Sequence, residues 1–286
     1  MTQNNSMTSQ IGKFYVVATP IGNIDDISFR AINTLKAVDL ICAEDTRHSS
    51  RLMQHYAINT PMMSLHEHNE IARIQQITEK LNNGNNIALI SDAGTPLISD
   101  PGFKLVRELR MLGFEISPVP GPSAIIAALS VAGLATDSFS FWGFLPAKSN
   151  ARQQKYQQLS SHSETLVFYE SSHRIFESLK DLQAVMGERS IVIGRELTKT
   201  FETILSGDVS TIIHILEQDP DQHKGEFVVM VQGAEVNQEE LDASSKDLMK
   251  ALLEELPPNK AAKIAASVTG IKKKLFYQWA LEHKES

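Results

Sequence analysis

The sequence contains very little cysteine and no long apolar run. Its single cysteine among 286 residues, Cys42, cannot form an internal disulfide bond, so we expect a reducing compartment. No apolar run approaches the roughly 20 residues that a membrane-spanning helix requires. Residues 1–10 carry neither the charged start nor the apolar core of a signal peptide. Together these absences predict a cytoplasmic protein.

Several catalytic motifs are also absent. The sequence has no G-x-x-x-x-G-K-S/T, which disfavours a P-loop nucleotidase, and no G-x-S-x-G elbow before a helix. Residues 19–23 contain one glycine after the first predicted strand, so the dinucleotide-binding fingerprint is missing. His66 and His68 are two residues apart on a predicted strand and point to opposite faces, which is poor geometry for one metal ion. We expect no metal site.

The composition that remains is that of a globular protein, with 42% hydrophobic and 21% charged residues. At roughly 150 residues per domain, the length predicts two domains. The formal net charge of −7 is unevenly distributed. Residues 257–286 contain six lysines against two glutamates, a charge of +4, so the other 256 residues sum to −11. This asymmetry indicates a local anionic partner, the alternative being a solvated helix face.

Hydrophobic periodicity divides the chain into three parts. From residue 13, short apolar runs alternate with amphipathic stretches, which predicts parallel strands covered by helices on both faces. The turn-rich residues 132–138 predict a boundary, and the strands and helices that follow predict a mixed sheet. From residue 239 the pattern is helical throughout. We therefore expect α/β domains over 11–134 and 135–236 and a helical module over 239–286.

Two segments rich in proline and glycine follow predicted strands, over residues 91–102 and 118–124. Both begin at the carboxyl end of a strand, where open α/β sheets bind ligands. Their glycines permit close backbone approach and their prolines stiffen the loops. The alternative for the first loop is helix capping, with Asp100 as N-cap and Pro101 as the first helical residue. Pro122 suits the first turn of the next helix, which leaves Ser123 near exposed N–H groups. Two rigid loops at one sheet edge favour a ligand pocket.

An ordered series of motifs resembles a known family. The run AGTPLISDPG is preceded by ATPIGNIDD and AEDTR, and it is followed by PGPSA, YESSHRI, GRELTKTFE and GEFVVMV. Over about residues 13–231, these motifs resemble the ribosomal RNA small subunit methyltransferase I family, a branch of the tetrapyrrole methylase superfamily (class III methyltransferases). Ser91-Asp92-Ala93 stands where precorrin methylases have Gly-Asp-Pro, which counts against a tetrapyrrole substrate.

The resemblance implies an α/β, two-domain tetrapyrrole-methylase-like fold with a small C-terminal helical module. It also implies S-adenosylmethionine bound in the cleft between the α/β domains and a homodimer. The implied reaction is methyl transfer to the 2′-hydroxyl of a cytidine ribose in 16S rRNA of the small ribosomal subunit. By the same resemblance, cofactor contacts are expected from Pro20, Ser91, Asp92, Ala93, Ile98, Ser123, Ala124, Tyr169, Leu197 and Gly225.

Polar residues at the ends of the loops are candidates for the chemistry, because a base or a cation near the hydroxyl would assist the transfer. We expect Asp45, Arg47 and Arg174 to orient the ribose and its flanking phosphates. Each has a structural alternative: Asp45 could be an N-cap, and Arg174 could form a surface pair with Glu177. In the same way, Arg195 and Glu196 could pair across the domain interface.

The C-terminal helices, predicted over 260–268 and 272–284 around Gly270, resemble a helix-turn-helix. We expect this module to contact RNA phosphates through Lys263, Lys272, Lys273 and Lys274. Two other functions stay open at this point. One is a methylase of the same superfamily that acts on a tetrapyrrole or a protein residue, and the other is a non-catalytic RNA-binding protein.

Overall fold

In the computed structural model of the chain, residues 11–235, 241 and 243–283 are described. The expectations for residues 1–10, for the junction at 236–240 and for Lys284 lie outside these residues. By backbone contacts the chain divides into two units, residues 1–233 and 234–286. Each unit is described separately below.

The first half of the chain alternates strands with helices, as the periodicity predicts. Its elements are β1 (Phe14–Val17), α1 (Phe29–Ala37), β2 (Leu40–Ala43), α2 (Thr46–His55), β3 (Met62–Ser64), α3 (Glu70–Asn82), β4 (Ile87–Ile90), α4 (Phe103–Met111), β5 (Ile116–Val119) and α5 (Ala124–Ala132). The strands pair in parallel in the order β3-β2-β4-β1-β5. Their carboxyl ends therefore meet at one edge of the sheet.

This first sheet is buried on both faces, which explains its continuous apolar strands. Along β2, Ile41 and Ala43 pack into one core, whereas Leu40 and Cys42 pack into the core on the other face. Burial raises the pKa of the Cys42 thiol to about 12, so this cysteine is a core residue and not a nucleophile.

The second sheet is mixed, as predicted. Its elements are β6 (Phe139–Phe144), α6 (Ser149–Leu159), β7 (Thr165–Ser171), α7 (Ile175–Met186), β8 (Ser190–Arg195), β9 (Thr203–Asp208), α8 (Val209–Gln218) and β10 (Glu226–Val231). The order is β6-β7-β10-β8-β9, with β6 parallel to β7 and the other neighbours antiparallel. Helices α6, α7 and α8 contribute to the core on one face, and α5 covers the other through Ile125, Ala128 and Leu129.

Two helices begin later than their sequence patterns predict. The spacing of Ile27, Ala31 and Leu35 predicts a helix from residue 26. Instead, Ile24–Asp26 forms a 3₁₀ turn, and α1 starts at Phe29 because the Ser28 hydroxyl accepts a hydrogen bond from the Ala31 N–H. Ser123 is the N-cap residue of α5, so Pro122 precedes the helix instead of opening it.

The C-terminal unit contains three helices over its described residues: α9 (Ala243–Glu255), α10 (Pro258–Thr269) and α11 (Lys273–Glu282). A small core of Met249, Ala262, Phe276 and neighbouring apolar residues holds them together. Gly270, at a φ of +74°, ends α10 and begins the turn into α11. In the described part of the chain, no helix has the length and hydropathy of a membrane span.

A buried ion pair joins α6 to α7 in the second sheet domain. The Arg152 Nε donates to Asp181 Oδ2 at 2.8 Å, and both side chains are at most one-tenth exposed. Burial opposes ionisation of Asp181, yet hydrogen bonds from Gln153, Ser149 and Arg152 hold the pKa of its carboxyl below the usual value. The charged pair is therefore fully satisfied by its surroundings.

We expect Asp181→Asn to lower the free energy of unfolding by about 3 kcal/mol, because it leaves Arg152 charged and buried. Since the folded pKa of Asp181 is depressed, its contribution is lost as the pH falls through that pKa. Urea unfolding followed by circular dichroism measures both effects. The control is Asp221→Asn, in an exposed pair with Lys224, and equal stability of the two variants would contradict the prediction.

Candidate active site

The loops that follow β1 and β4 are joined by a short antiparallel backbone pair. The Thr19 N–H donates to the Gly94 carbonyl at 2.9 Å, and the Gly94 N–H donates back to the Thr19 carbonyl at 3.1 Å. The Thr19 hydroxyl adds a hydrogen bond to the Ser91 carbonyl at 3.1 Å. Both loops leave the carboxyl edge of the first sheet, so this pair fixes the shape of the candidate site at that edge.

The loop over residues 91–102 holds an unusual backbone conformation. Leu97 and Ser99 have positive φ angles of +74° and +67°, which cost non-glycine residues free energy and often occur at functional sites. The N-cap of α4 is Gly102, at a φ of +118°. Asp100 is therefore not the N-cap that the alternative interpretation expects, and its side chain lines a cavity instead.

The first cavity, of about 410 Å³, lies between the loops of the first sheet and the second sheet domain. Seven of the residues expected to contact a cofactor line it, with Gly94, Thr95, Asp100 and Phe144 beside them. The seven are Ala93, Ile98, Ser123, Ala124, Tyr169, Leu197 and Gly225. Sequence reasoning thus identifies residues from both domains that the fold brings together.

A second cavity, of about 360 Å³, adjoins the first. Ile21, Ala93 and Glu226 line both. The three remaining residues expected to contact a cofactor, Pro20, Ser91 and Asp92, line this second cavity. Its wall also includes one face of α2, with His48, Ser49, Arg51 and Leu52.

Acidic side chains cluster where the two cavities meet the first sheet. Burial, together with repulsion from Glu44 and Asp92, raises the pKa of Asp100 to about 6, although a hydrogen bond from Ser91 opposes this rise. Burial and Asp92 also raise the pKa of Glu44. The Tyr169 phenol, buried in the first cavity near Asp100 and Glu226, has a pKa of about 12. Such crowded carboxyl groups favour a cationic ligand.

The opposite wall comes from the loop after β8, where Glu196 and Thr198 adopt positive φ angles. The Asn23 N–H donates to the Thr198 hydroxyl at 3.0 Å, which connects the two domains beside the cavities. A Cβ at Gly22 would lie 2.4 Å from the Lys199 side chain, so only glycine permits this close approach. Arg195 and Glu196 do not pair: Arg195 donates to the carbonyl of Lys224, and Glu196 binds Lys199.

Asp45 and Arg47 form a pair at the start of α2. Asp45 caps the helix by accepting the Arg47 N–H at 2.8 Å, and its carboxyl also binds the Arg47 guanidinium at 3.0 Å. Arg47 holds the pKa of Asp45 near 2, and the arginine side chain is 90% exposed. Neither residue lines a cavity, although the Asp45 N–H donates to Asp92.

Arg174 is bound to Glu170, four residues earlier near the end of β7, and not to Glu177. Its Nη2 lies 2.8 Å from Glu170 Oε1, and its Nε donates to the Ser171 hydroxyl at 3.2 Å. Glu170 lines the first cavity and is buried, and its second carboxyl oxygen has no hydrogen-bond partner among the described residues. The Arg174 guanidinium also lies 6.0 Å from the ring of Phe144 at the cavity wall.

The lysines expected to meet RNA lie on the surface of the C-terminal unit. Lys263 is on α10, Lys272 is the residue before α11, and Lys273 and Lys274 open α11. All four are exposed. Phe276, in contrast, is fully buried in the small core, so this aromatic ring packs between the helices and is not available to stack on a base.

Sequence reasoning missed three contributors to the site. Asp100 is named there only as the helix cap of the alternative interpretation, and Phe144 and the cavity-lining face of α2 are not considered. The Asp-Pro-Gly sequence was a usable signal for Asp100, since the glycine could serve as the cap. No local sequence pattern indicates that Phe144 would meet the first domain.

The fold and the cleft define a methylase of the tetrapyrrole methylase type. The model of the tetrapyrrole (corrin/porphyrin) methylases matches residues 13–213, and that of the RsmI C-terminal HTH domain matches residues 239–284. Among solved structures, the methyltransferase CobJ shares the fold with a TM-score of 0.58 at 19% identity, covering 78% of this chain and 95% of that one. Cobalt precorrin-4 methyltransferase has a TM-score of 0.57 at 14% identity, covering 77% and 94%.

Relatives of much higher sequence identity show which family of this class the chain belongs to. Ribosomal RNA small subunit methyltransferase I of Haemophilus influenzae is 50% identical over 98% of this chain and 100% of its own length. The same-named protein of Pseudomonas aeruginosa is 50% identical over 96% and 98%, and that of Escherichia coli O157:H7 is 47% identical over 99% and 100%. The chain belongs to the ribosomal RNA small subunit methyltransferase I family, and it is a methyltransferase.

Proposed function

We propose that this chain transfers the methyl group of S-adenosylmethionine to the 2′-hydroxyl of a cytidine ribose in 16S rRNA of the small ribosomal subunit. The observation that carries the proposal is the cavity between the sheets, built by both loops of the family motifs. Full-length identity of about 50% to ribosomal RNA methyltransferases supports the RNA substrate.

The residues present fit S-adenosylmethionine. The first cavity has a volume within the range of small-molecule sites and is lined by Asp100, Glu170 and Glu226 without any Lys, Arg or His. Such a wall favours the cationic sulfonium and ammonium groups and disfavours a phosphate. Ala93, Ser123 and Ala124 present small side chains that leave room for a flat ring, and Tyr169 and Leu197 add apolar surface.

When bound, the cofactor supplies an electrophilic methyl group on a positively charged leaving group. The residues of this chain then have to align the acceptor hydroxyl with the methyl group and exclude water, which can supply much of the rate acceleration. Leu197 at the first cavity and Ser91 at the second are buried, which limits the access of bulk water to this region. Asp45, Arg47 and Arg174 remain our proposed groups for orienting the ribose and its phosphates. Arg174 is already held in place by Glu170.

The remaining expectations belong to the same proposal. We infer domains over 11–134 and 135–236, followed by an RNA-binding module over 239–286 with Lys263, Lys272, Lys273 and Lys274 as phosphate contacts. Helix α5 carries exposed Ile126 and Val131, an apolar surface that supports a homodimer. Light scattering of the purified chain tests the homodimer.

A ribosomal substrate also supports a cytoplasmic location.

The experiment that tests the function is label transfer from tritiated S-adenosylmethionine to 30S subunits, free 16S rRNA and uroporphyrinogen in parallel. Labelled ribose in rRNA, with no label on uroporphyrinogen, is the expected result. Label on uroporphyrinogen alone would favour a tetrapyrrole methylase, and no transfer to any acceptor would favour a non-catalytic RNA-binding protein.

We predict that Asp100→Asn weakens S-adenosylmethionine binding about tenfold at pH 8, because the ionised carboxyl attracts a cationic ligand. The free protein holds this group at a pKa of about 6. A cation stabilises the ionised form, so wild-type affinity falls as the pH drops through about 6. Asp100→Asn removes that dependence. Isothermal titration calorimetry measures both, with exposed Asp137→Asn as control, and equal affinities would contradict the prediction.

We also predict that ending the chain at residue 239 weakens binding to 16S rRNA at least tenfold, because the phosphate-contacting lysines are lost. S-adenosylmethionine affinity changes less than about twofold. Filter binding at several salt concentrations measures the RNA affinity. The full-length variant with glutamine at 272, 273 and 274 is the second test. Unchanged RNA affinity in both proteins would refute the prediction.

A further inference from the structure

The second cavity differs in charge from the first, although the two share a wall. Its lining includes three basic side chains, His48, Arg51 and Lys199, against Asp92 and Glu226. The first cavity has acidic side chains and no basic ones. The second cavity therefore has basic groups that the first lacks, which an anionic acceptor beside a cationic donor requires.

Among these basic groups, Arg51 is available to bind a ligand. Lys199 is neutralised locally, because its Nζ lies 2.8 Å from Glu196 Oε1 and 2.9 Å from Glu226 Oε2. Arg51, in contrast, is exposed and forms no hydrogen bond or ion pair among the residues the structure describes. Helix α2, over Thr46–His55, contains two arginines, two histidines and no acidic residue. It is a basic element on a body whose charge sums to −11 outside residues 257–286.

The floor of the second cavity contains a buried hydroxyl without a partner. Ser49, one residue from His48 on α2, is 4% exposed and lines the cavity. Within the described part of the chain, its Oγ makes no hydrogen bond. Buried polar groups are nearly always paired, and an unpaired hydroxyl on a residue that lines a cavity is consistent with a ligand that completes it. A hydroxyl can donate to a phosphate oxygen, as Arg51 can.

We propose that this second cavity binds a backbone phosphate of the RNA beside the target ribose, through Arg51 and Ser49, with His48 at its rim. This inference rests on the proposed function and gives it a substrate subsite. An RNA strand held here has its ribose near Ile21 and Ala93, which line both cavities. Arg47, four residues before Arg51 on α2, is placed to meet the next phosphate along the strand.

The test measures methyl transfer to 30S subunits at saturating S-adenosylmethionine. We expect Arg51→Gln to raise KM for 30S subunits about tenfold and to change kcat less than about twofold. It reduces the slope of log KM against log salt by about 0.7–0.9, the value for one lost phosphate contact. Arg51→Lys restores part of the affinity. The control is Arg110→Gln, an exposed arginine at the end of α4 that lines neither cavity.

Ser49→Ala separates a ligand contact from a structural defect. If the hydroxyl binds phosphate, KM for 30S subunits rises about threefold. If it is merely an unpaired group in the core, the variant becomes more stable and KM does not change. Unchanged KM in Ser49→Ala, together with an Arg51→Gln variant that matches the control in KM and salt slope, would overturn the subsite.

Two further results would also reject the phosphate subsite. If Arg51→Gln weakens S-adenosylmethionine binding about tenfold by calorimetry and leaves KM for 30S subunits unchanged, the second cavity belongs to the cofactor and the subsite is wrong. If the wild-type protein methylates neither 30S subunits nor 16S rRNA, the proposed function fails and the subsite fails with it. An active wild type with an unaffected Arg51→Gln variant rejects the subsite alone.

Discussion

The two hydrogen bonds between Thr19 and Gly94 are the interaction on which the site depends. They join loops that leave β1 and β4, strands that are neighbours in the sheet although their paired residues, such as Phe14 and Ile87, are 73 positions apart in sequence. The loops place Ile21 and Ala93 between the two cavities. Without this pair, neither cavity would have a fixed wall, because loops at a sheet edge are otherwise the most mobile part of an α/β fold. The positive φ angle of Gly94, +81°, suits this close backbone contact.

Among the described residues, four of the five non-glycine residues with positive φ angles lie at the cleft, and the fifth, Ala57, follows α2. Leu97 and Ser99 on one side, and Glu196 and Thr198 on the other, all adopt the left-handed conformation. Each costs free energy that the surrounding structure must offset. In the second sheet domain, the buried pair of Arg152 and Asp181 stabilises helices behind the cleft. The domain that carries the loop over 196–198 therefore has a rigid support, and the loop can hold a conformation that a mobile chain would abandon.

The sequence predicts the fold better than it predicts the chemistry, for physical reasons. The pattern of apolar residues reflects which faces of a strand are buried. A continuous apolar run such as that of β2 therefore predicts a strand that is covered on both faces, as in a parallel sheet. The start of α1 differs from its pattern because capping by Ser28, a single hydrogen bond, decides where a helix begins. Cofactor contacts such as Ala93 and Tyr169 were expected from family resemblance, and the structure places them at one cavity.

Side-chain partners are what the sequence could not reveal. Asp45 and Asp100 both stand at loop ends before a helix, and their patterns suggest the same capping role. The fold gives Asp45 an arginine partner that holds its pKa near 2, whereas burial, together with repulsion from Glu44 and Asp92, raises the pKa of Asp100 to about 6. Burial at the cavity and the approach of Glu44, 56 positions away, depend on the tertiary fold, which no local pattern contains.

The fold separates the acidic side chains of the first cavity from the basic side chains of α2, and this separation bears directly on function. In a single cavity, carboxylates that attract a sulfonium would repel the phosphates of an RNA strand at the same distance. Here Ile21 and Ala93 stand between the acidic cavity and the basic face of α2. Because Coulomb attraction falls with distance, the cofactor interacts most strongly with the carboxylates of the first cavity, and a phosphate interacts most strongly with the basic groups of α2. In the proposed arrangement, a protein of negative net charge binds RNA beside the site of reaction through α2 as well as through the basic C-terminal module.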